Sequence, residues 1–317
     1  MAADNRPEVL REGRRVVSWI SELTGESSDV VEQRLREEFR KPGTNVGRDL
    51  QARGVAPFVW NDAMAQFYCD TDAFLYELVI WNLNKLKAWM REACAGYVKQ
   101  TCGDGAAVLN IGDGLGIDTI HLARDGHRAA YFELPGYTRR FAERAFDHAG
   151  VNVQIFDTEA QVPRNHFDAL ICLDVLEHVP DPSSFLRQLI SYVRPGGRLL
   201  IHESFLWVHP SNPTHLASLR HLSGDLSFYR KEGLVLEDGE IGWNPLVLVK
   251  PDEQYRRPSP FRPKLLMLRL AGLYMALGRF TVLPFLFGDR LRQRSGRWFD
   301  DLAADVPEDS PERLDVA

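Results

Sequence analysis

Hydrophobic positions divide the chain into three regions of different rhythm. Up to about residue 100 the apolar residues recur at helical spacing. Val31, Leu35 and Phe39 share one face of a helix that Ser28 or Asp29 can cap and that Pro42 and Gly43 stop. A stretch containing Gly and Pro, to about Pro57, predicts a loop. Phe74, Leu75, Leu78, Trp81, Leu86 and Trp89 predict one long helix, capped at Asp70 or Thr71 and running towards Tyr97. From Ala106 the rhythm changes. Short apolar runs at 107–111, 129–132, 151–156, 169–173 and 198–202 alternate with helical stretches, the first two of which end at Gly126 and Gly150. This alternation predicts a parallel sheet with helices on both faces. Pro195, Gly196 and Gly197 predict a turn into the fifth strand, and 234–236 with 246–249 predict a hairpin-like pair closing the sheet. Further on, 264–288 is almost wholly apolar, interrupted by Arg269 and Arg279.

Composition changes this picture mainly at the C-terminal end. Apolar residues make up 44% and charged residues 26%, the balance of a globular chain that can bury a full core. The net charge of -6 gives no support to a nucleic-acid partner. It is spread unevenly: 256–297 holds ten basic residues and one acid, Asp289, for a net +9 against −15 in the rest. Basic and apolar together, 256–297 predicts contact with an anionic membrane surface, packing on the α/β region, or a homodimer interface. The arginines inside the apolar run argue against a membrane span. Residues 300–317 are acidic and predict a mobile tail. Cys69, Cys94, Cys102 and Cys172 form no CxxC pair, so neither a zinc site nor a disulfide framework is expected. The first residues carry no apolar signal region, which predicts a cytoplasmic location, with the inner membrane face as the place of any peripheral contact.

The chemistry concentrates after the first strand. Val108 to Ile111 runs into Gly112, Asp113, Gly114, Leu115 and Gly116, and a helical pattern follows. A GxGxxG dinucleotide fingerprint started at Gly112 needs glycine at Ile117; started at Gly114 it needs glycine at Thr119. Neither fits, and the spacing is GxGxG. Glu133 lies about 20 residues beyond the loop at a strand end, where a carboxylate can grip both hydroxyls of a ribose. Asp157 follows the third strand. A run from Phe167 to Pro182 carries Asp174, Val175, Leu176, Glu177, His178, Val179 and Pro180, and Arg194 to Arg198 reads RPGGR. Together these motifs, over about 106–250, resemble the ubiquinone/menaquinone-type branch of the class I S-adenosylmethionine-dependent methyltransferases.

That resemblance implies a Rossmann-like, seven-stranded α/β sheet with an N-terminal helical cap (1–100), a methyltransferase core (101–252), a basic apolar helical extension (253–299) and the acidic tail (300–317). It implies S-adenosyl-L-methionine as cofactor, bound by Asn110, Gly112, Asp113, Gly114, Gly116, Glu133, Leu134, Asp157, Thr158 and Leu173. In the family an acid usually stands where this chain has Asn110. The resemblance also points to the DxxEH pattern of Asp174, Glu177 and His178. Related enzymes with ExxEH bind a divalent cation such as Mg2+ there; other members use the Glu-His pair without metal. His178 is the first candidate for a general base. His202, His209, His215 and His221 cluster after the fifth strand, and His215 is the choice among them as a second base or a metal ligand. Trp60, Tyr68, Tyr76 and Trp81 are candidate walls of an acceptor pocket. The expected activity is O-methylation of a hydroxyl on a small or lipid-linked molecule. A non-catalytic scaffold of the same fold, or an enzyme using the cofactor for a non-methylating reaction, fits the same motifs.

Overall fold

The computed structural model describes residues 6–240, 245–259, 261–280 and 298–299. Residues 281–288 of the apolar run, Arg290, Arg292, Arg294, Arg297 and the acidic 300–317 stretch lie outside the described residues. Seven helices come first: α1 (Glu8–Arg11), α2 (Gly13–Thr24), α3 (Ser28–Arg40), α4 (Thr44–Ala52), α5 (Asp62–Asp70), α6 (Ala73–Asn82) and α7 (Lys85–Cys102). Strands and helices then alternate through β1 (Ala107–Ile111), α8 (Ile117–Arg124), β2 (Arg128–Phe132), α9 (Tyr137–Ala149), β3 (Gln154–Phe156), β4 (Phe167–Leu173), α10 (Pro182–Tyr192) and β5 (Val193–His202). Among the described residues there follow α11 (Leu226–Lys231), β6 (Val235–Gly239), β7 (Leu246–Val249) and α12 (Pro263–Gly278), with short 3-10 turns at Glu159–Gln161, Leu176–His178 and Ala217–Leu222.

The sheet has seven strands in the order β3-β2-β1-β4-β5-β7-β6. β1 to β5 run parallel, and β7 is antiparallel to both β5 and β6. The order reverses between β1 and β4, which opens a crevice at their carboxyl ends. β1 and β7 are buried along their whole length, as strands covered on both faces must be. One face packs Leu109, Leu170, Leu199 and Leu248 against α10, α11 and α12. The other packs Val108, Ala169, Ile171 and Val247 against Met90, Cys94 and Val98 of α7.

Local chemistry moves several predicted boundaries. Ser27, one residue before the expected cap, accepts from the Val30 N–H and starts α3. The predicted loop to Pro57 contains α4, which buries Val46 and Leu50 against α5. The predicted long helix is two, because Asn84 accepts from the Leu86 N–H and so caps α7 afresh. At the start of α6, the Thr71 hydroxyl accepts from the Ala73 N–H. Pro195, Gly196 and Gly197 lie inside β5, at a shift in register with β4, and the third strand is only Gln154–Phe156.

The N-terminal helices fasten to the sheet through α9, where Trp19 meets Phe141 edge-on at 5.5 Å. Arg34 joins α3 to its neighbours, pairing with Glu26 and Asp72 at 2.9 Å each. Trp298 closes the same cluster, its indole nitrogen donating to the Leu10 carbonyl at 2.7 Å. At the other end, α12 lies against the core at Gly224. Its φ is +71°, and a Cβ added there would stand 2.0 Å from the Gly272 carbonyl oxygen. Lys264 ties the start of α12 to Asp238 at 2.8 Å and to the Tyr97 hydroxyl at 2.7 Å. Among the described residues no helix is long and apolar enough to cross a membrane.

Candidate active site

A cavity of about 700 Å³ opens at the carboxyl ends of β1, β2, β4 and β5. Gly112, Gly114, Glu133 and Leu134 border one part of it. Asp174, His178, His202 and His215 border another. Its roof is apolar and comes from three places: Trp60 and Tyr68 near α5, Phe74, Leu78 and Trp81 on α6, and Tyr274 with Met275 on α12.

The glycine loop is held from both sides. Glu133 accepts from the Gly114 N–H at 2.8 Å and from the Leu134 N–H at 2.9 Å. Burial pushes its carboxyl upward, and the two amides work against that. The Gly114 carbonyl accepts from the buried Tyr131 hydroxyl at 2.7 Å. Gly114 has φ +60°, and a Cβ there would meet the Leu78 Cδ1 at 2.5 Å. The left-handed turn favours glycine here, and the end of the Leu78 side chain from α6 fills the space beside it.

Other predicted cofactor residues stand elsewhere. Asp113 is buried and accepts from the Thr119 N–H at 2.8 Å and hydroxyl at 2.7 Å, so it starts α8. Gly116 precedes that helix in a left-handed conformation. Asn110 is buried in β1, and its Nδ2 has no hydrogen-bond partner. Leu173 is buried among residues of α7 and the sheet. Asp157 is exposed and pairs with Arg139. Thr158 caps the short turn 159–161. Neither borders the cavity; Glu159, two residues past Asp157, does.

The DxxEH residues divide into two groups. Ligating atoms of Glu177, His178 and His215 lie within 4.8 Å of one another. The His178 Nδ1 donates to the Thr214 carbonyl at 3.2 Å, and its ring meets His215 edge-on at 4.7 Å. Glu177 accepts from the Ser204 N–H at 3.1 Å and from its hydroxyl, while its second oxygen, Oε2, is buried without a partner. Burial first, and then Asp174, push the Glu177 carboxyl upward. Asp174 is outside this group. It accepts from His202 Nδ1 at 2.8 Å and from the Trp81 indole at 3.2 Å. Burial opposes its ionisation, yet His202 holds it well below the usual carboxylate range. Of the expected pocket walls, Trp60, Tyr68 and Trp81 border the cavity. Tyr76 is instead buried under Arg34, which stands 3.8 Å above its ring. His209 bonds Ser211 and His221 bonds the Ser218 carbonyl, and neither borders the cavity.

Residues 86–237 match the family described as "Methyltransferase domain". The match contains β1 to β5 of the sheet described above and takes in just under half of the chain. Among its relatives is a ubiquinone biosynthesis O-methyltransferase of Xanthomonas axonopodis pv. citri, 34% identical over 101 residues, covering 31% of this chain and 42% of the relative. The enzyme of that name from Ralstonia nicotianae is 31% identical over 119 residues, covering 36% and 48%. The chain thus spans under half the length of either relative. A solved 1,6-didemethyltoxoflavin-N1-methyltransferase of Burkholderia thailandensis is similar at 17% identity and a TM-score of 0.40, over 51% of this chain and 79% of that one.

Proposed function

We propose that this chain is an O-methyltransferase acting on a hydroxyl of a small, apolar or lipid-linked molecule. The observation that carries this is one cavity bordered by the Glu133 and Gly114 loop, by three histidines, and by an apolar roof. The names of the relatives support an oxygen acceptor. S-Adenosylmethionine bound there supplies a methyl group already activated on a sulfonium. The residues present fit it. Glu133 ends β2 with both oxygens held by main-chain amides, in reach of a ribose, and Gly112, Gly114 and Leu134 border the same space. The protein's own task is then alignment of the acceptor and removal of its proton.

Glu177, His178 and His215 form the hydroxyl-holding group. The unpartnered Glu177 Oε2 beside two imidazoles also suits a divalent cation. Two nitrogen donors and one oxygen favour zinc-like or iron-like ions over Mg2+, which prefers oxygen. A described part of the basic apolar extension supports peripheral contact with an anionic membrane surface. Leu266, Leu270, Leu273 and Leu277 form an exposed stripe on α12, with Arg256, Arg257 and Arg262 exposed at its N-terminal end. Tyr274 and Met275 of the same helix border the cavity, which would admit an acceptor from that surface.

Calorimetry with S-adenosylmethionine tests the core of the reading. Micromolar binding by the wild type is expected, weakened about 10- to 100-fold in Glu133→Ala, as loss of charged hydrogen bonds implies. No binding by the wild type overturns it. One observation favours a second reading, a non-catalytic chain of this fold: Asn110, with its unpartnered Nδ2, replaces the family's acid. Binding without formation of S-adenosylhomocysteine would select that reading, or a non-methylating reaction.

A further inference from the structure

Asp174 ends β4 and His202 ends β5, in adjacent parallel strands where Leu173 is in register with His202. The Asp174 N–H donates to the His202 carbonyl at 3.1 Å, and Asp174 has φ +57°, a left-handed conformation rare outside glycine. Such outliers persist where the surroundings fix them, often at reacting sites. Here both carboxylate oxygens are committed. Oδ1 accepts from His202 Nδ1 at 2.8 Å, and Oδ2 accepts from the Trp81 indole N–H at 3.2 Å. A carboxylate at this position can only accept, so Nδ1 of a neutral His202 carries the proton and Nε2 carries the lone pair. Trp81, Asp174 and His202 all border the cavity.

We propose that His202 Nε2 is the general base that takes the proton of the acceptor hydroxyl, with Asp174 as the positioning residue and Trp81 holding Asp174 in place. This rests on the methyl-transfer reading above. The balance is simple. The acceptor oxygen forms the O–CH3 bond, the sulfur keeps the electron pair of the broken S–CH3 bond and becomes a neutral thioether, and the hydroxyl proton passes to Nε2. The imidazolium so formed lies beside a carboxylate. His178 lacks that partner: its Nδ1 donates to the neutral Thr214 carbonyl, and its ring faces another histidine. Dividing the work in this way leaves Glu177, His178 and His215 to hold the hydroxyl.

The groups facing the pair are known. Burial opposes the charged form of His202, but Asp174, Glu177 and Glu203 favour it, and the balance is upward. Lys87 and His215 face Asp174 from the other side. A base must be neutral to act, so activity should fall as pH drops through this raised value.

Two measurements on the full chain decide the matter. The first is long-range 1H–15N NMR of histidine-labelled protein, which reads tautomer and titration without any acceptor. The expected result is an Nδ1-protonated neutral His202, with its titration shifted down by about a pH unit or more in Asp174→Asn. An Nε2-protonated ring, or a titration unmoved by Asp174→Asn, overturns the proposal. The second is turnover of long-chain alkylphenols by wild type and His202→Asn. Asparagine keeps a donor for Asp174 but has no Nε2. A kcat lower by about 10²- to 10⁴-fold is expected, with S-adenosylmethionine binding within twofold of wild type by calorimetry. Turnover within threefold of wild type, or a change in KM alone, overturns the base role. No turnover by the wild type on alkylphenols or on lipid extract overturns the transfer reading and the base role with it.

Discussion

At the scale of single residues, the least replaceable charge lies just behind the site. Asp118 is buried on α8 and pairs with Lys87 and Arg91 of α7 at 2.7 Å each. Arg91 also donates to Asn82 at 2.5 Å, and so ties α8 to α6. Burial alone would raise the Asp118 carboxyl, but the two cations hold it low. Burial likewise opposes the Lys87 charge, and Asp118 raises it overall. Asp118→Asn would take from the two buried cations the carboxylate that each is bonded to, and should cost about 3–5 kcal/mol in urea unfolding near neutral pH. The depressed acid contributes stability above its unfolded value of about 3.9, lost as pH falls through the folded value. The raised Lys87 contributes below about 10.4, lost as pH rises past its folded value. The gap between wild type and variant should therefore be full between these limits and narrow as the pH falls below about 3.9. Little of this was legible beforehand. That Glu133 stands beside the glycine loop could be read beforehand, because a strand end and a spacing place it there. The Asp174–His202 pair could not, because it depends on the register of β4 with β5. Asp157 is drawn away from the cavity by Arg139, a partner 18 residues distant that no spacing rule reveals.

At the scale of elements, apolar runs identified the strands of the core because buried parallel strands leave no other pattern. Helix breaks were harder. Asn84 restarts a helix where the hydrophobic rhythm continues without a gap. α4 was hidden because Pro42, Gly43 and Gly47 read as punctuation, although Val46 and Leu50 carry its buried face. The attachment of α12 hangs on a contact of the same hidden kind. Gly224→Ala would drive a methyl into the Gly272 carbonyl and impose a left-handed φ on an ordinary residue. It should destabilise by about 1–3 kcal/mol. Hydrogen exchange within 263–278 should speed up more than exchange within β1 or β4. Uniform acceleration throughout the chain would show instead that α12 and the core unfold as one unit.

For the whole molecule, a parallel sheet with helices on both faces and a hairpin-like closing pair was legible from the alternation of elements. Of the crevice's sides, the one from α6 was legible through Trp81, but that from α12 was not, because it joins a segment nearly 200 residues further on. The exposed leucine stripe of α12 gives a test at this scale. Flotation with vesicles of anionic phospholipid should recover the wild type, while Leu266→Glu combined with Leu270→Glu and Leu273→Glu should stay in solution. Recovery should fall at high salt, as charge attraction requires. If wild type and variant both ignore vesicles, and the variant alone is smaller by light scattering, the stripe is a dimer seam.

Leu78 serves two neighbours at once, one surface of it bordering the cavity and one methyl filling the space a side chain at Gly114 would take. The apolar roof and the glycine loop therefore meet at one side chain. A library aimed at new acceptors should leave position 78 alone and vary Trp60, Phe74 and Tyr274, which shape the same chamber at some remove from the glycine loop. On the methyl-transfer reading proposed above, enlarging Leu78 to narrow the chamber should press on the glycine loop and weaken S-adenosylmethionine binding, which calorimetry would read directly.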